Sequence, residues 1–175
     1  MEAMKTVWVG CDNGVTGSIA FIIEDKETGY YNTEFMLTPV FSELSYQKTK
    51  VKHMTRVDFK ALYEIMRSHK EDSERFVVAI ERPMINSTRF DASLSARASL
   101  EAMLIMFNLL DISYVYIDSK AWQKQLLPAN LKGSPEQKRA SRDVGCRLFP
   151  EHKELIMKHK DADGLLIALY AKKNL

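Results

Sequence analysis

Three carboxylates stand at the edges of apolar segments, far apart in the chain. Asp12 follows the β-rich run Thr6-Val7-Trp8-Val9-Gly10-Cys11 and opens the turn Asn13-Gly14-Val15-Thr16-Gly17. Glu81 ends the run Phe76-Val77-Val78-Ala79-Ile80 and precedes Arg82-Pro83. Asp163 lies in Lys160-Asp161-Ala162-Asp163-Gly164, just before Leu165-Leu166-Ile167-Ala168. Each has an ordinary structural role open to it. Asp12 suits an Asx-turn, Glu81 could pair with Arg82, and Asp161 and Asp163 suit the first turn of a helix, where its dipole favours acids. Glu81 fits that role worst, because a buried carboxylate is costly unless paired and neighbours on a strand point to opposite faces. Asp163 has Gly164 beside it, which allows close backbone approach. Carboxylates at the ends of strands, where α/β sheets build their sites, suit a hard divalent cation. Mg²⁺ takes oxygen ligands and keeps waters for a phosphate substrate. Two such ions can activate water and stabilise the leaving oxygen of a phosphodiester. The 4 His and 2 Cys are too few and too scattered for a zinc cage.

Charge distribution supports a polyanionic substrate. The chain carries a net +2, but residues 119–160 hold ten Lys/Arg against four Asp/Glu, while residues 1–118 are acidic on balance. A basic segment on a near-neutral chain suggests a polyanionic partner such as nucleic acid; for a lone patch a solvated helix face is the commoner explanation.

These residues need elements to hold them. Residues 6–11, 18–23 and 30–37 read as strands, the first two joined by the glycine turn as a hairpin. Residues 39–55 are polar and irregular and read as a loop. Residues 57–68 show helical spacing of Val57, Leu62, Ile65 and Met66. Residues 76–80 form a strand buried on both faces, stopped by Pro83. A helix over 93–110 is apolar almost all round in its second half, which demands burial on more than one side. A fifth strand covers 112–117, and a short helix runs from Lys120 to Pro128. The next helix takes Ser134 as N-cap and Pro135 as its first residue, runs to Leu148 and is closed by Pro150. A last helix covers 161–172. This order predicts an α/β fold with a mixed five-stranded sheet, three antiparallel strands first and then parallel strands, with helices on both faces.

At 175 residues the chain reads as a single domain, 1–175, large enough to hide about 70% of its unfolded surface. The apolar stretch 102–107 is far short of the roughly 20 residues of a membrane span. The N-terminal residues lack a signal-peptide pattern. Two cysteines make no framework, so the expected setting is a reducing cytoplasm rather than a secreted one.

Taken together, these segments resemble the RuvC-like Holliday junction resolvases of phages and organelles, within the ribonuclease H-like nuclease superfamily. Residues 10–20 resemble the family's opening Asp-Xaa-Gly-Xaa-Xaa-Gly-Xaa-Ile-Ala, and Ala79-Ile80-Glu81-Arg82-Pro83 its Glu-bearing strand. Residues 84–102 look like the loop and helix that follow. Residues 122–128 and 134–150 look like its Lys-rich segment, and residues 161–168 like its closing helix. The resemblance implies a ribonuclease H-like fold and a homodimeric, Mg²⁺-dependent endonuclease, with Mn²⁺ as a substitute, that nicks opposed strands of a four-way DNA junction. It implies Asp12, Glu81 and Asp163 as metal ligands and Lys138 as a contact to the scissile phosphate. The family's fourth ligand stands three or four residues before the last carboxylate, where this chain has Lys160 and His159. Asp161, two residues before, is preferred as an N-cap free to turn inward, and His159 remains the alternative.

Chemistry adds Arg89, Arg97, Lys120, Lys124, Lys132, Arg139 and Arg142 as candidates for DNA backbone contact. Phe90 and Trp122 are candidates for base stacking, with core packing the ordinary role for Trp122. The helix 93–110 is expected to make the dimer contact, since one small domain cannot bury every side of it; a two-fold dimer presents two sites to two strands. Competing readings are a related ribonuclease H-like nuclease acting on other branched DNA or RNA, and a non-catalytic junction-binding protein. A sugar-kinase or actin-type ATPase needs two such domains, for which this chain is too short.

Overall fold

The computed structural model describes residues 5–44, 53–85 and 88–175. The sheet is built around β1 (Lys5–Cys11). Antiparallel β2 (Ser18–Asp25) pairs with it from Cys11↔Ile19 to Lys5↔Asp25, and β3 (Tyr31–Leu37) continues the meander. Two further strands reached through helices add in parallel: β6 (Arg75–Glu81) beside β1, then β7 (Tyr114–Ile117). The order β3-β2-β1-β6-β7 is the mixed five-stranded sheet expected from the sequence, three antiparallel strands and then parallel ones.

The alternation along β1 assigns its two faces. Val7, Val9 and Cys11 join Phe21, Val78 and Ile80 under α1 (Phe59–Glu71) and α2 (Phe90–Leu109), against Leu62, Met66, Met103, Met106 and Phe107. Trp8, Ala20, Ile22 and Ala79 face the other way, toward α3 (Ser119–Leu126), α4 (Gly133–Leu148), α5 (Lys153–His159) and α6 (Asp163–Asn174). On that face β1 presents Gly10. A Cβ there would lie 2.2 Å from Ala168 N and from Gly164 O, so α6 rests directly on the strand backbone.

Several expectations need correction. The expected loop over 39–55 contains two strands, β4 (Val40–Leu44) and β5 (His53–Val57), paired as a separate ribbon; its residues 45–52 lie outside the described residues. Both strands are largely exposed, so no buried face imprinted an alternating pattern. Val57 belongs to this ribbon, and α1 begins two residues later, capped by Asp58 Oδ1 accepting from Ala61 N at 3.1 Å. Helix α2 starts at Phe90, three residues early. Ser134 is not an N-cap: Lys132 is, and its backbone N–H donates to Glu136 at 2.6 Å. After Pro150, where the sequence reading assigns no element before residue 161, the chain makes one 3₁₀ turn and helix α5. Finally, α6 begins at Asp163 with Ala162 as N-cap, not at Asp161.

Candidate metal centre

Asp12 leaves β1 at its C-terminal end and is fixed there by the turn. Its N–H donates to Ser18 O at 2.9 Å, and Gly17 N to Gly14 O at 3.1 Å. Gly17 is required because a Cβ would lie 2.1 Å from Asp12 O. Ser18 then reaches across to α6: its Oγ accepts from Gly164 N at 3.1 Å. A side chain at Gly164 would drive into the Ser18 backbone at 2.9 Å. Two small residues in contact thus bring Asp163 to Asp12, 151 positions earlier in sequence.

The segment between α5 and α6 supplies the third carboxylate. Lys160 closes α5 in the left-handed region (φ 81°), a conformation that a residue with a Cβ adopts at a cost on the order of 1 kcal/mol. That reversal turns Asp161 inward. Helix α4 lines the segment with Lys138, Ser141 and Gly145, which share one face by their i, i+3, i+7 spacing. Gly145 makes room for Ala162, whose Cβ would be 2.2 Å from a Cβ on the glycine. Ser141 Oγ accepts from Ala162 N at 3.1 Å and donates to Asp163 Oδ1. Lys138 Nζ donates to Asp161 Oδ2 at 2.6 Å and lies 3.7 Å from Asp163 Oδ2.

Asp12, Asp161 and Asp163 consequently offer carboxylate oxygens that all lie within 4.8 Å of one another. Glu81 stands beside this group, its Oε2 accepting from Trp122 Nε1 at 2.9 Å. His159 is the last residue of α5, on a different helix from Asp163, so the two share no helical face. Its Nε2 lies 3.3 Å from Asp161 Oδ1, at ion-pair distance but without hydrogen-bond alignment. Arg82 is no partner of Glu81; its guanidinium lies over the Tyr116 ring, 5.2 Å from the centroid.

The electrostatics are those of a site short of positive charge. Burial, then the neighbouring Asp163, Glu81 and Asp161, pushes the Asp12 carboxyl well above the usual range. Burial and Asp161 raise Asp163. Burial, only partly offset by the Trp122 hydrogen bond, raises Glu81 to about 7. Asp161 alone is lowered: burial opposes its ionisation, but His159 and Lys138 outweigh it. Lys138 is also held charged, Asp161 and Asp163 outweighing its own desolvation. One ammonium faces four carboxylates, and like charges this close cannot all ionise without more positive charge. Clustered hard oxygen donors starved of cation fit a divalent metal of the Mg²⁺ class.

The basic candidates are dispersed. Arg89 and Arg97 lie exposed at the N-cap and in the first half of α2. Lys120 and Lys124 are exposed on α3, and Lys132 at the start of α4. Arg142 is half-buried and paired with Asp143 at 2.8 Å. Arg139 does not approach the carboxylates; it lines a groove of about 630 Å³ between α4 and the α3–α4 connection, with Leu126, Leu127, Glu136 and Arg147. Phe90 is exposed, as stacking requires, but Trp122 is buried in the core and unavailable to bases. Ser18, Ser141, Gly145 and the Trp122–Glu81 pair escaped the sequence reading. Only the spacing of Ser141 and Gly145 from Lys138 carried a signal for them.

No known family model and no curated protein matches the sequence. Among solved structures the chain is similar to Thermus thermophilus RuvC. In complex with Holliday junction substrate, that protein aligns at 15% identity over 98% of this chain and 96% of its own, with a TM-score of 0.45. Another structure of T. thermophilus RuvC aligns over 97% and 96%, also at 15% identity, with a TM-score of 0.43. What the site can do is set by its own residues. Among the described residues, no helix is long and apolar enough to cross a membrane.

Proposed function

We propose that the chain is a divalent-metal-dependent endonuclease of the RuvC-like class, one nuclease domain over residues 1–175, cutting four-way DNA junctions as a homodimer. The observation that carries this reading is the meeting of Asp12, Asp161 and Asp163 within 4.8 Å, with Glu81 alongside and Lys138 on its open side. These four carboxylates would hold Mg²⁺, or Mn²⁺ in its place, with Asp161 rather than His159 as the fourth ligand. When bound, the metal supplies an activated water and charge stabilisation for the leaving oxygen. The chain's own contribution is to orient. Ser141 fixes one oxygen of Asp163, and His159 stands 3.3 Å from an oxygen of Asp161. The Lys138 ammonium, half-exposed, can meet a phosphate oxygen on its outer side.

The dimer surface would be the outer face of α2. Leu94, Ile105 and Leu109 are 57%, 52% and 63% exposed and fall on one face together with Ala98. Phe90, 70% exposed at the start of the same helix, would meet unstacked bases. The homodimer, the junction and the DNA-contacting residues belong to this proposal, as does activity in a cytoplasm.

The test is a nicking assay on four-way junction, duplex and RNA–DNA hybrid, with Mg²⁺ and with chelator. Metal-dependent paired nicks in the junction are expected. Asp12→Asn, Glu81→Gln and Asp163→Asn should each abolish cleavage yet retain junction binding, because distant phosphate contacts remain. Preferential cutting of the hybrid would shift the reading to another ribonuclease H-like nuclease; binding without cutting would make it a junction-binding protein.

A further inference from the structure

We infer that Trp122 is a positioning residue for Glu81: its indole N–H holds one carboxylate oxygen and leaves the other to face the cation, an inference that rests on the metal-site reading above. Trp122 is 1% exposed and packs in the same core as Ile117, Leu127, Val144 and Leu165. It hangs from α3, which follows directly on β7, and β7 pairs with β6 at Glu81↔Ile117. The ring is therefore anchored to the strand adjacent to the one bearing Glu81. Its Nε1 donates to Glu81 Oε2 at 2.9 Å.

Both partners need this bond. A buried indole N–H wants an acceptor, and a glutamate at a strand end has several side-chain rotamers to settle. A charge-assisted hydrogen bond from a rigid, packed donor selects one of them. The other carboxylates are held by other groups: Asp12 by its hairpin, Asp163 by the Ser141 hydroxyl and the Gly164–Ser18 contact, and Asp161 by Lys138. Glu81 has the longest side chain of the four carboxylates. Partners of ligating side chains fix ligand geometry, and losing one costs about tenfold or more in metal affinity.

The chain has 2 Trp, and Trp8 Nε1 makes no hydrogen bond, so Trp8→Phe leaves one indole to observe. In that nitrogen-labelled protein, the Trp122 Nε1–H resonance should move as Mg²⁺ is added, in step with binding followed by calorimetry. It should lose that response in Glu81→Gln. Trp122→Phe should weaken Mg²⁺ and Mn²⁺ binding about tenfold, and should add nothing in the Glu81→Gln background. Normal metal binding with a silent indole overturns the inference. Equal losses from Trp122→Phe in both backgrounds also overturn it, since that would mark a purely structural role. The resonance is read with Trp122 in place, so it decides even if Trp122→Phe does not fold. Absence of any Mg²⁺ or Mn²⁺ binding in the Trp8→Phe protein would instead overturn the metal-site reading, and this inference with it.

Discussion

Helices α6 and α2 are written in nearly the same apolar language and meet opposite fates. In α6, Gly164, Leu165, Leu166, Ile167, Ala168 and Ala171 are all buried within the chain, between the sheet and helices α3 and α4. In α2, Met103, Met106 and Phe107 are buried, while Leu94, Ile105 and Leu109 face outward. The difference lies in small residues. Gly10, Ser18, Ser141 and Gly145 let backbone approach backbone around α6. Around α2 the sheet presents bulky Val9, Phe21 and Ile80, which fill one side and no more. An apolar helix thus announces that it will be covered, and the residues facing it decide whether its own chain or a second one does the covering.

The sharpest way to break the α6 side is Gly10→Val. Its side chain would enter the α6 backbone at 2.2 Å, where no rotamer change can relieve it. A loss of about 3 kcal/mol or more in urea denaturation is expected, together with loss of the carboxylate cluster. Near wild-type stability would mean that α6 does not rest on β1. The matched change on α2, Ile105→Ser, should alter monomer stability by only about 0.5 kcal/mol.

The α2 side is tested by association. Ile105→Asp with Leu109→Asp places charge on the exposed apolar face, where a dimer would have to bury it. The doubly substituted chain is expected to run as a monomer in light scattering while keeping its circular dichroism. It should also nick junctions one strand at a time instead of in pairs. A dimer that survives both substitutions would move the interface off α2.

The same contrast explains what the sequence could tell. Strands β1, β2 and β6 were legible because they are continuous apolar runs ended by turn residues, and Asp12 and Glu81 were legible as the polar residues ending two of them. The ribbon of β4 and β5 was not, since a strand exposed on both sides carries no alternation. Helix α5 was hidden by Pro150 before it and by Lys158-His159-Lys160 at its end, a like-charged run that makes a poor first turn for a following helix. In fact Lys160 supplies the left-handed turn that aims Asp161 inward. Ser141 and Ser18 were invisible as site residues because serine is common everywhere; only their partners give them meaning. Trp122 read as core, correctly, and its hydrogen bond to Glu81 is a tertiary fact that no local pattern encodes.

A subtler effect separates the two sides of the sheet by pH. The α1–α2 side buries Cys11, whose thiol is pushed up to about 12 by burial and by Asp12, so it stays neutral across the working range. At the α3–α6 side, Glu81 is raised to about 7, mainly by burial. A carboxyl whose folded pKa exceeds its unfolded value binds a proton more tightly when folded. It therefore costs stability above the folded pKa, and that cost fades as pH falls through it. Metal-free protein should gain on the order of 1–3 kcal/mol between about pH 8 and about pH 5, with Asp12 and Asp163 adding in the same direction. Saturating Mg²⁺ should flatten the profile by meeting the charge instead. A metal-free stability that falls over this window would contradict the crowded-carboxylate reading.

The smallest expected effect concerns the basic residues outside the cluster. Junction affinity should fall steeply as salt rises from about 50 to about 200 mM, because each neutralised phosphate releases counterions. Lys124, Lys132 and Arg139 are exposed, but the groove around Arg139 holds Glu136 and Asp143 as well as Arg147, so it carries no net positive charge. Changing all three to Ala should therefore lower the salt slope by about two phosphate contacts rather than three, without altering the metal dependence of cleavage. Restoring Arg139 alone should recover little; restoring Lys124 and Lys132 should recover most of the slope. A slope that tracks Arg139 instead would put DNA in the groove between α4 and the α3–α4 connection. It would also extend the DNA path across the side of the molecule that buries α6, away from the exposed face of α2.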